Sequence, residues 1–283
     1  MIIWLASYPK SGNTWMRSFL ISLMIKNKDG LKLKDLENIR QFPTKKQYVN
    51  LGINIDFNNF DEVSKYWNIV QSKINSDKKI RFFKTHNAFC KINENLFTNS
   101  KNTLGVIHIV RDPRNVISSV NNHYQHNSLE ESKSFLFDKT KGISKDATGK
   151  IDIALPQVIG SWQTHYNSWK IIKKNYFLVK YESLINSPYD EFYKVAKYLE
   201  NTIKIKFDDK QIKYAIEASS FEKLEELEKK EGFTESMIDK KKGKRRKFFF
   251  LGPKNNWKNL LDEKIVFSIE KEFQKEMKEL GYI

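Results

Sequence analysis

The chain has 283 residues, of which 40% are hydrophobic, so it is long enough to bury a sizeable core. Its single cysteine excludes an internal disulfide framework and favours a reducing, cytoplasmic compartment. A formal net charge of +16 favours anionic ligands, although most of the lysines are expected to lie on solvated faces. The apolar opening is too short for a signal peptide, and no stretch has the length of a membrane span.

The predicted elements alternate between strands and helices. Short apolar runs predict strands at residues 2–7, 80–84, 103–110 and 176–181. Helical patterns follow at residues 13–26, from Asp112 and Pro113 onward, and at residues 156–174. This alternation predicts an α/β fold with a doubly wound, mostly parallel central sheet flanked by helices, in a single domain of residues 1–283. Residues 127–152 and the basic run at residues 240–247 are predicted as surface loops.

The loops that follow the strands carry cationic and titratable side chains. In a doubly wound sheet, ligands bind beyond the carboxyl ends of the strands. There the chain reads YPKSG at residues 8–12, KTH at residues 84–86 and RDPR at residues 111–114. Gly12 lets the backbone approach an anion, the amides of the following helix can point at it, and Lys10 adds charge. Taken alone, the first loop is explained equally well as an ordinary strand-to-helix turn with a surface lysine.

The order of residues in this loop is informative. In the common nucleoside-triphosphate loop the lysine follows the last glycine, whereas Lys10 precedes Gly12. The segment YPKSGNTW at residues 8–15 resembles the phosphosulfate-binding loop of sulfotransferases, the enzymes that use 3′-phosphoadenosine 5′-phosphosulfate (PAPS). Further segments resemble the same family in the same order, namely KTH at residues 84–86, VRDPRNVISS at 110–119, GSWQTHYNSW at 160–169 and KYESLINSP at 180–188. The resemblance covers nearly the whole chain.

The resemblance implies an enzyme that transfers a sulfuryl group from PAPS to a hydroxyl, or else an amine, of a small-molecule acceptor. Lys10 would contact the oxygen that bridges phosphate and sulfate, His86 would be the general base, and Lys84 would assist the transferring group. The donor would be held by Ser11, Gly12, Asn13, Thr14, Trp15, Arg111, Ser119, Tyr181, Ser219, Phe221, Gly252 and Lys254. Within this set, Arg111 and Ser119 would bind the 3′-phosphate. The remaining histidines are expected to be structural.

Some of these assignments have structural alternatives. Trp15 can pack in the core, since an aromatic residue on a helix face usually does so. Ser219 can instead begin a helix, because Ser219 and Glu222 have the spacing of a capping box. Arg114 is expected to be a solvated neighbour of Arg111.

The chain departs from the family pattern near its C-terminus. Family members carry FxRKGxxGDWK, whose arginine and backbone grip the 3′-phosphate, and residues 248–258 read FFFLGPKNNWK. Phe250 and Leu251 stand where arginine and lysine are expected, and asparagines replace the second glycine and the aspartate. One clamp on the 3′-phosphate is therefore missing or rebuilt. The hypothesised replacements are Lys254, Arg245, Arg246 and Lys247.

The acceptor and the partners are less defined by the sequence. Residues 41–78 and 127–156 are expected to wall the acceptor pocket, with Phe42, Tyr48, Phe57 and Trp67 as aromatic candidates. No metal is predicted, because no His/Cys cluster has ligand spacing, and no nucleic-acid partner is expected. The oligomeric state is left open.

Two other functions are kept as alternatives. The altered C-terminal motif and the basic run favour a non-catalytic nucleotide- or nucleic-acid-binding protein, although Lys10, Lys84 and His86 are all present. A P-loop kinase-like phosphotransferase is the second alternative, and it lacks the motif G-x-x-x-x-G-K-[ST].

Overall fold

The computed structural model describes residues 1–24, 30–144, 154–239 and 242–283 of the chain. The chain divides into two units. The first, called the sheet unit, consists of Met1–Tyr8, Ile39–Ile109 and Asp138–Leu178, and the second, called the helical unit, consists of Pro9–Asn38, Val110–Phe137 and Val179–Ile283. The expected single domain of residues 1–283 stays a prediction.

The strands are, in chain order, β1 Ile2–Ser7, β2 Arg40–Gln41, β3 Arg81–Thr85, β4 Lys91–Ile92, β5 Asn95–Leu96, β6 Thr103–Val110, β7 Gly142–Ile143, β8 Gln157–Val158 and β9 Tyr176–Lys180. The main sheet has the order β2–β3–β1–β6–β9. β1 pairs in parallel with β3 on one side and with β6 on the other, and β2 pairs in parallel with β3. All six residues of β1 are buried, as expected for an uninterrupted apolar run in a central parallel strand. The predicted doubly wound α/β fold is confirmed.

The α-helices are, in chain order, α1 Asn13–Met24, α2 Lys45–Val49, α3 Phe60–Lys65, α4 Trp67–Ile74, α5 Pro113–Tyr124, α6 Leu129–Phe137, α7 Trp162–Trp169, α8 Tyr181–Asn186, α9 Pro188–Ile203, α10 Asp209–Ala218, α11 Phe221–Glu231, α12 Glu263–Glu272 and α13 Gln274–Glu279. Short 3₁₀ helices lie at Leu33–Asn38, Asn75–Asp77, Gly252–Lys254 and Trp257–Asn259. The predicted start of α5 is confirmed, because the Asp112 side chain accepts a hydrogen bond from the Arg114 amide and Pro113 is the first helical residue. None of the helices in the described ranges combines the length and apolar character that a membrane crossing requires.

The core of the sheet unit is rich in aromatic rings. Trp4 on β1 contacts Phe42 and Phe97, with ring centroids 5.5 Å and 5.2 Å apart. Phe42, Tyr48 and Trp67 are fully buried in this cluster. The expectation that these three residues line an acceptor pocket is therefore wrong. Aromatic composition did not distinguish a core from a pocket, because both are built from apolar surface.

The prediction of a surface loop at residues 127–152 is wrong for part of this segment. It contains α6 and β7, and α6 buries Ser132, Phe135 and Leu136 on one face. The apolar residues recur at helical spacing within an otherwise polar segment, which explains both the helix and the failure to predict it. Residues 145–153 lie outside the described residues, as do residues 25–26 of the first predicted helix and residues 240–241 of the basic run.

The helix predicted at residues 156–174 is shorter in the structure. Gln157 and Val158 instead form β8, which pairs antiparallel with β7. Gly160 follows with φ +62°, and the Ser161 side chain caps α7 by accepting from the Thr164 amide. The left-handed backbone at Gly160 ends any helical continuity, so α7 begins only at Trp162.

Candidate active site

The loop between β1 and α1 combines a left-handed backbone with a close contact to Tyr181. Lys10 and Gly12 both have left-handed backbones, with φ of +67° and +106°. A Cβ atom at Gly12 would lie 2.6 Å from Tyr181 Cδ2, so a side chain there would require displacement of the Tyr181 ring. The hydroxyl of Ser11 is buried and has no hydrogen-bond partner among the described residues. A phosphate oxygen fits this loop, because it would pair that hydroxyl and the amides of the first helical turn.

Cationic groups accompany the loop. The ammonium group of Lys10 lies 4.0 Å from the centre of the Phe248 ring, and Lys10 also lines a crevice with Arg246 and Lys247. The Lys10 carbonyl accepts a hydrogen bond of 3.1 Å from Nη1 of Arg111. The positive charges of this crevice favour an anionic ligand next to Lys10.

Arg111 and Ser119, predicted to bind one phosphate together, lie next to each other. Arg111 follows β6 and Ser119 lies on α5, and Arg111 Nη1 donates to Ser119 Oγ over 3.4 Å. The Arg111 guanidinium stacks on the Tyr181 ring at 4.0 Å and is 6% exposed. Stacking and burial hold the guanidinium in one orientation, as bidentate recognition of a phosphate requires.

The aromatic residues predicted to surround an adenine form two separate groups, one around Trp15 and Tyr181 and one around Phe221 and Gly252. The Trp15 ring packs edge-on against Tyr181 and Phe192, with centroids 5.6 Å and 5.5 Å apart. The Phe221 ring lies so close to Gly252 that it leaves no room for a Cβ atom there. Gly252 also has φ +51°, so both the backbone and the contact require glycine.

Ser219 and its neighbour Ser220 have different roles from those that the capping pattern predicted. Ser220 caps α11, since its hydroxyl accepts from the Lys223 amide, and the capping box predicted at Ser219 is wrong. Ser219 is fully buried, and its hydroxyl donates to the Ala215 carbonyl over 2.7 Å. Its hydrogen is therefore engaged, and the hydroxyl could serve a ligand only as an acceptor.

The prediction that Arg114 is a solvated neighbour is wrong. Arg114 is 4% exposed and forms ion pairs with Asp112 at 2.6 Å and Glu270 at 2.5 Å. Its guanidinium also stacks on Trp257 at 4.0 Å. Arg114 therefore joins α5, α12 and residues 245–258, called the C-terminal segment, and this role is structural.

The cations hypothesised to replace the C-terminal arginine make other interactions. Arg245 donates to the carbonyl groups of Phe233 and Ser236, Arg246 donates to the Asn122 carbonyl, and Lys247 pairs with Glu225. Lys254 is exposed. The hydrogen bond from Lys247 holds the pKa of the Glu225 carboxyl below its ordinary value, and the charge of Lys254 contributes least to this shift. Phe250, at the position of the expected arginine, is 48% exposed.

His86 has a defined orientation in the sheet unit. The register of β1 and β3 pairs Ala6 with Thr85, so His86 comes next to Ser7 at the carboxyl ends of the two strands. His86 Nδ1 lies 2.8 Å from the Ser7 carbonyl oxygen, which can only accept, so Nδ1 carries a hydrogen, and in the neutral ring the lone pair is on Nε2. The His86 amide donates to Gln157 Oε1 over 2.9 Å. This tautomer suits a general base that acts through Nε2.

Lys84 and Gln157 complete the description of this part of the sheet unit. Lys84 lies two residues before His86 on β3 and is half-buried. Gln157 is 3% exposed and accepts from the Gln41 side chain as well as from His86. Gln157 was not among the predicted site residues. The one sequence signal that could have identified it is its position three residues before the GSWQTHYNSW segment.

Two further histidines are buried in the sheet unit. His108 on β6 and His165 on α7 have ring centroids 5.7 Å apart, and His108 Nδ1 lies 2.8 Å from the Tyr176 hydroxyl. Burial lowers the pKa of His108 to about 3 and lowers the pKa of His165 well below its ordinary value. Both rings are therefore neutral at physiological pH.

The described residues contain no group of three or more His, Cys, Asp or Glu side chains that could hold a metal ion. The absence of a metal cofactor stays a prediction. Site residues from the glycine loop, from the start of α5 and from the C-terminal segment all belong to the helical unit, whereas Lys84 and His86 belong to the sheet unit.

Comparisons with known proteins concern the fold and the family of this chain. The fold is similar to that of mouse sulfotransferase SULT7A1 complexed with PAP, at 20% identity and a TM-score of 0.60, covering 98% of this chain and 84% of that one. It is also similar to retinol dehydratase in complex with androsterone and PAP, at 17% identity and a TM-score of 0.61, covering 98% and 80%. A search of curated proteins found no match. A family model described as a sulfotransferase domain matches residues 2–281, and the chain therefore belongs to the sulfotransferase family.

Proposed function

We propose that this protein transfers the sulfuryl group of PAPS to a hydroxyl group of a small-molecule acceptor. The acceptor oxygen attacks sulfur, and the bond between sulfur and the bridging oxygen breaks with its electron pair left on the 5′-phosphate. The hydroxyl proton goes to Nε2 of His86, whose Nδ1 is held by the Ser7 carbonyl. The products are the sulfated acceptor and adenosine 3′,5′-bisphosphate (PAP).

The charge that develops in this reaction falls on the bridging oxygen. In the proposed complex Lys10 stabilises that oxygen and Lys84 stabilises the transferring group, and preorganised cations of this kind are a large catalytic term. Ser11, Gly12, Asn13 and Thr14 hold the 5′-phosphate. The buried hydroxyl of Ser11 and the contact that keeps Gly12 without a side chain support this assignment.

The remaining donor contacts are proposed from the helical unit. Arg111 and Ser119 hold the 3′-phosphate. The adenine and ribose are proposed to contact Trp15, Tyr181, Ser219, Phe221, Gly252 and Lys254. The two ring contacts, of Trp15 with Tyr181 and of Phe221 with Gly252, support aromatic walls on this ligand.

The similar structures support the donor and the acceptor class. Those of SULT7A1 and retinol dehydratase contain PAP, and the retinol dehydratase structures contain androsterone or retinol. Both of these small molecules carry a hydroxyl group. We extend the nucleotide and the class of acceptor to this chain.

The observation that carries the proposal is the pairing of Arg111 with Ser119. A 3′-phosphate distinguishes PAPS from ordinary adenine nucleotides, and an arginine beside a hydroxyl group suits a phosphate. The test is thermal stabilisation by PAP, compared with AMP and with ATP plus Mg²⁺. We expect PAP to raise the midpoint temperature of thermal unfolding more than the other nucleotides do. In Arg111→Gln, PAP and AMP should raise this temperature equally. A larger shift with ATP plus Mg²⁺ would favour the kinase-like alternative and refute the proposal.

A further inference from the structure

The side chain of Asn255 is buried and bonded to three groups of α5. Its Nδ2 donates to the Asn115 carbonyl over 2.8 Å and to Ser119 Oγ over 3.0 Å. Its Oδ1 accepts from the Ser118 hydroxyl over 2.9 Å. The Asn115 carbonyl can only accept, so the NH₂ group must face it, and this contact settles the orientation of the amide.

This orientation determines what the Ser119 hydroxyl can do. Ser119 Oγ accepts from Asn255 Nδ2 and from Arg111 Nη1, and both of those groups can only donate. Because both lone pairs of Ser119 Oγ are engaged, the hydroxyl can make a further hydrogen bond only by donating its hydrogen. The described residues offer that hydrogen no acceptor, and Ser119 is half-buried rather than enclosed.

We infer that Asn255 is a positioning residue for the 3′-phosphate. It holds the Ser119 hydroxyl beside Arg111, in the orientation in which this hydroxyl donates its hydrogen to the phosphate. The inference rests on the proposed function, because the phosphate is that of the PAPS donor. Asn255 stands where the family pattern has a glycine, which has no side chain to supply this bond. The clamp is therefore rebuilt by a neutral donor from the C-terminal segment, acting through Ser119.

The other residues of that segment do not perform the same task. Arg245, Arg246 and Lys247 are bonded to carbonyl groups or to Glu225, and Phe250 has no polar group. Lys254 is exposed and contributes charge without a hydrogen bond to Ser119. Among the described residues, Asn255 is the one whose side chain reaches both Ser119 and its helix.

The test measures binding of PAP and of AMP, which lacks the 3′-phosphate, by calorimetry on the full chain. Asn255→Ala removes the donor, and Asn255→Asp keeps the shape but replaces the NH₂ group with an acceptor oxygen. We expect Asn255→Ala to weaken the affinity for PAP about tenfold, the size of one hydrogen bond from Ser119 to a charged phosphate. The affinity for AMP should change by less than about twofold. Asn255→Asp should weaken PAP further, because its charge repels the phosphate.

A double-mutant cycle separates positioning from general stability. In a Ser119→Ala background, Asn255→Ala should cause little additional loss of PAP affinity, since the proposed effect passes through the Ser119 hydroxyl. Asn256→Ala is the matched control, because the Asn256 side chain caps Trp257–Asn259 and donates nothing to Ser119. It should leave the ratio of PAP to AMP affinity unchanged.

The results that overturn the inference are distinct from those that overturn the function. Equal weakening of PAP and AMP by both Asn255 variants, or additive losses in the cycle, would mean that Asn255 is only structural. Wild-type protein that binds PAP and AMP equally would refute the 3′-phosphate site itself, and with it both the inference and the proposed donor.

Discussion

The buried imidazole of His108 makes the protein sensitive to acid in a way that can be calculated. In the folded chain its pKa is about 3, and in the unfolded chain it is expected near the ordinary value of 6.5. The unfolded state therefore binds a proton as the pH falls below 6.5, whereas the folded state stays neutral until the pH approaches 3. This contribution to stability is fully present above pH 6.5 and is lost progressively as the pH falls from 6.5 toward 3.

The size of the loss follows from the same two values. At pH 5 the unfolded imidazole is almost fully protonated, so about 2 kcal/mol of the free energy of unfolding is lost relative to pH 7. His165 changes in the same direction, because burial and the nearby His108 both lower its pKa. The replacement His108→Asn keeps a polar group near the Tyr176 hydroxyl but cannot titrate. It should therefore remove the share of the acid-induced loss of stability that comes from His108 and leave the share that comes from His165.

Urea unfolding at a series of pH values measures this difference. The variant will be less stable at pH 7, because a smaller side chain leaves a cavity, so the informative quantity is the change between pH 7 and pH 5. We expect the wild-type protein to lose about 2 kcal/mol more than His108→Asn over that interval. Tyr176→Phe is the control, since it removes the hydrogen-bond partner and keeps the imidazole, and it should retain the wild-type slope. Parallel pH profiles for wild type and His108→Asn would refute the calculation.

Three other substitutions test the site and its support. His86→Ala should lower turnover by about 10²–10⁴-fold with PAP affinity unchanged, measured with labelled PAPS and by calorimetry, and undiminished turnover would contradict the base assignment. Gly12→Ala places a Cβ against Tyr181 at a φ of +106°, so we expect a loss of about 1–3 kcal/mol in urea unfolding and weaker PAP binding. Arg114→Met leaves the buried Asp112 without its partner and should destabilise the chain by about 3 kcal/mol, and a change below about 1 kcal/mol would show that the ion pairs matter little.

Local signals predicted the parts of the structure that depend on neighbouring residues. The apolar run of β1, the glycine loop and the start of α1 were all visible in the first residues of the chain. The start of α5 was equally visible, because Asp112 and Pro113 have the properties that an N-cap and a first helical residue require. The family resemblance pairs Arg111 with Ser119, and a strand end followed by a helix brings these two residues, eight positions apart, next to each other.

Contacts between distant residues could not be predicted in this way. The tautomer of His86 depends on the Ser7 carbonyl, which becomes its neighbour only through the register of β1 and β3. The burial of Arg114 was not visible in the sequence because two of the groups that enclose it, the Glu270 carboxylate and the Trp257 ring, lie far away in the chain. The aromatic residues Phe42 and Trp67 were equally ambiguous, since their burial depends on which elements pack over them.

The C-terminal segment shows how a departure from a pattern can itself be informative. Phe250 at the place of an arginine indicates a lost interaction, and its exposure means that the replacement costs the fold little. An arginine would add its own charged hydrogen bond to the phosphate, worth about 1.5–3 kcal/mol, whereas Asn255 only orients the Ser119 hydroxyl, so it replaces only part of an arginine. It follows that this protein should discriminate between PAP and AMP less strongly than a relative that keeps the arginine, even if Asn255 positions Ser119 as proposed. Weak discrimination is therefore consistent with the rebuilt clamp, whereas none at all is not.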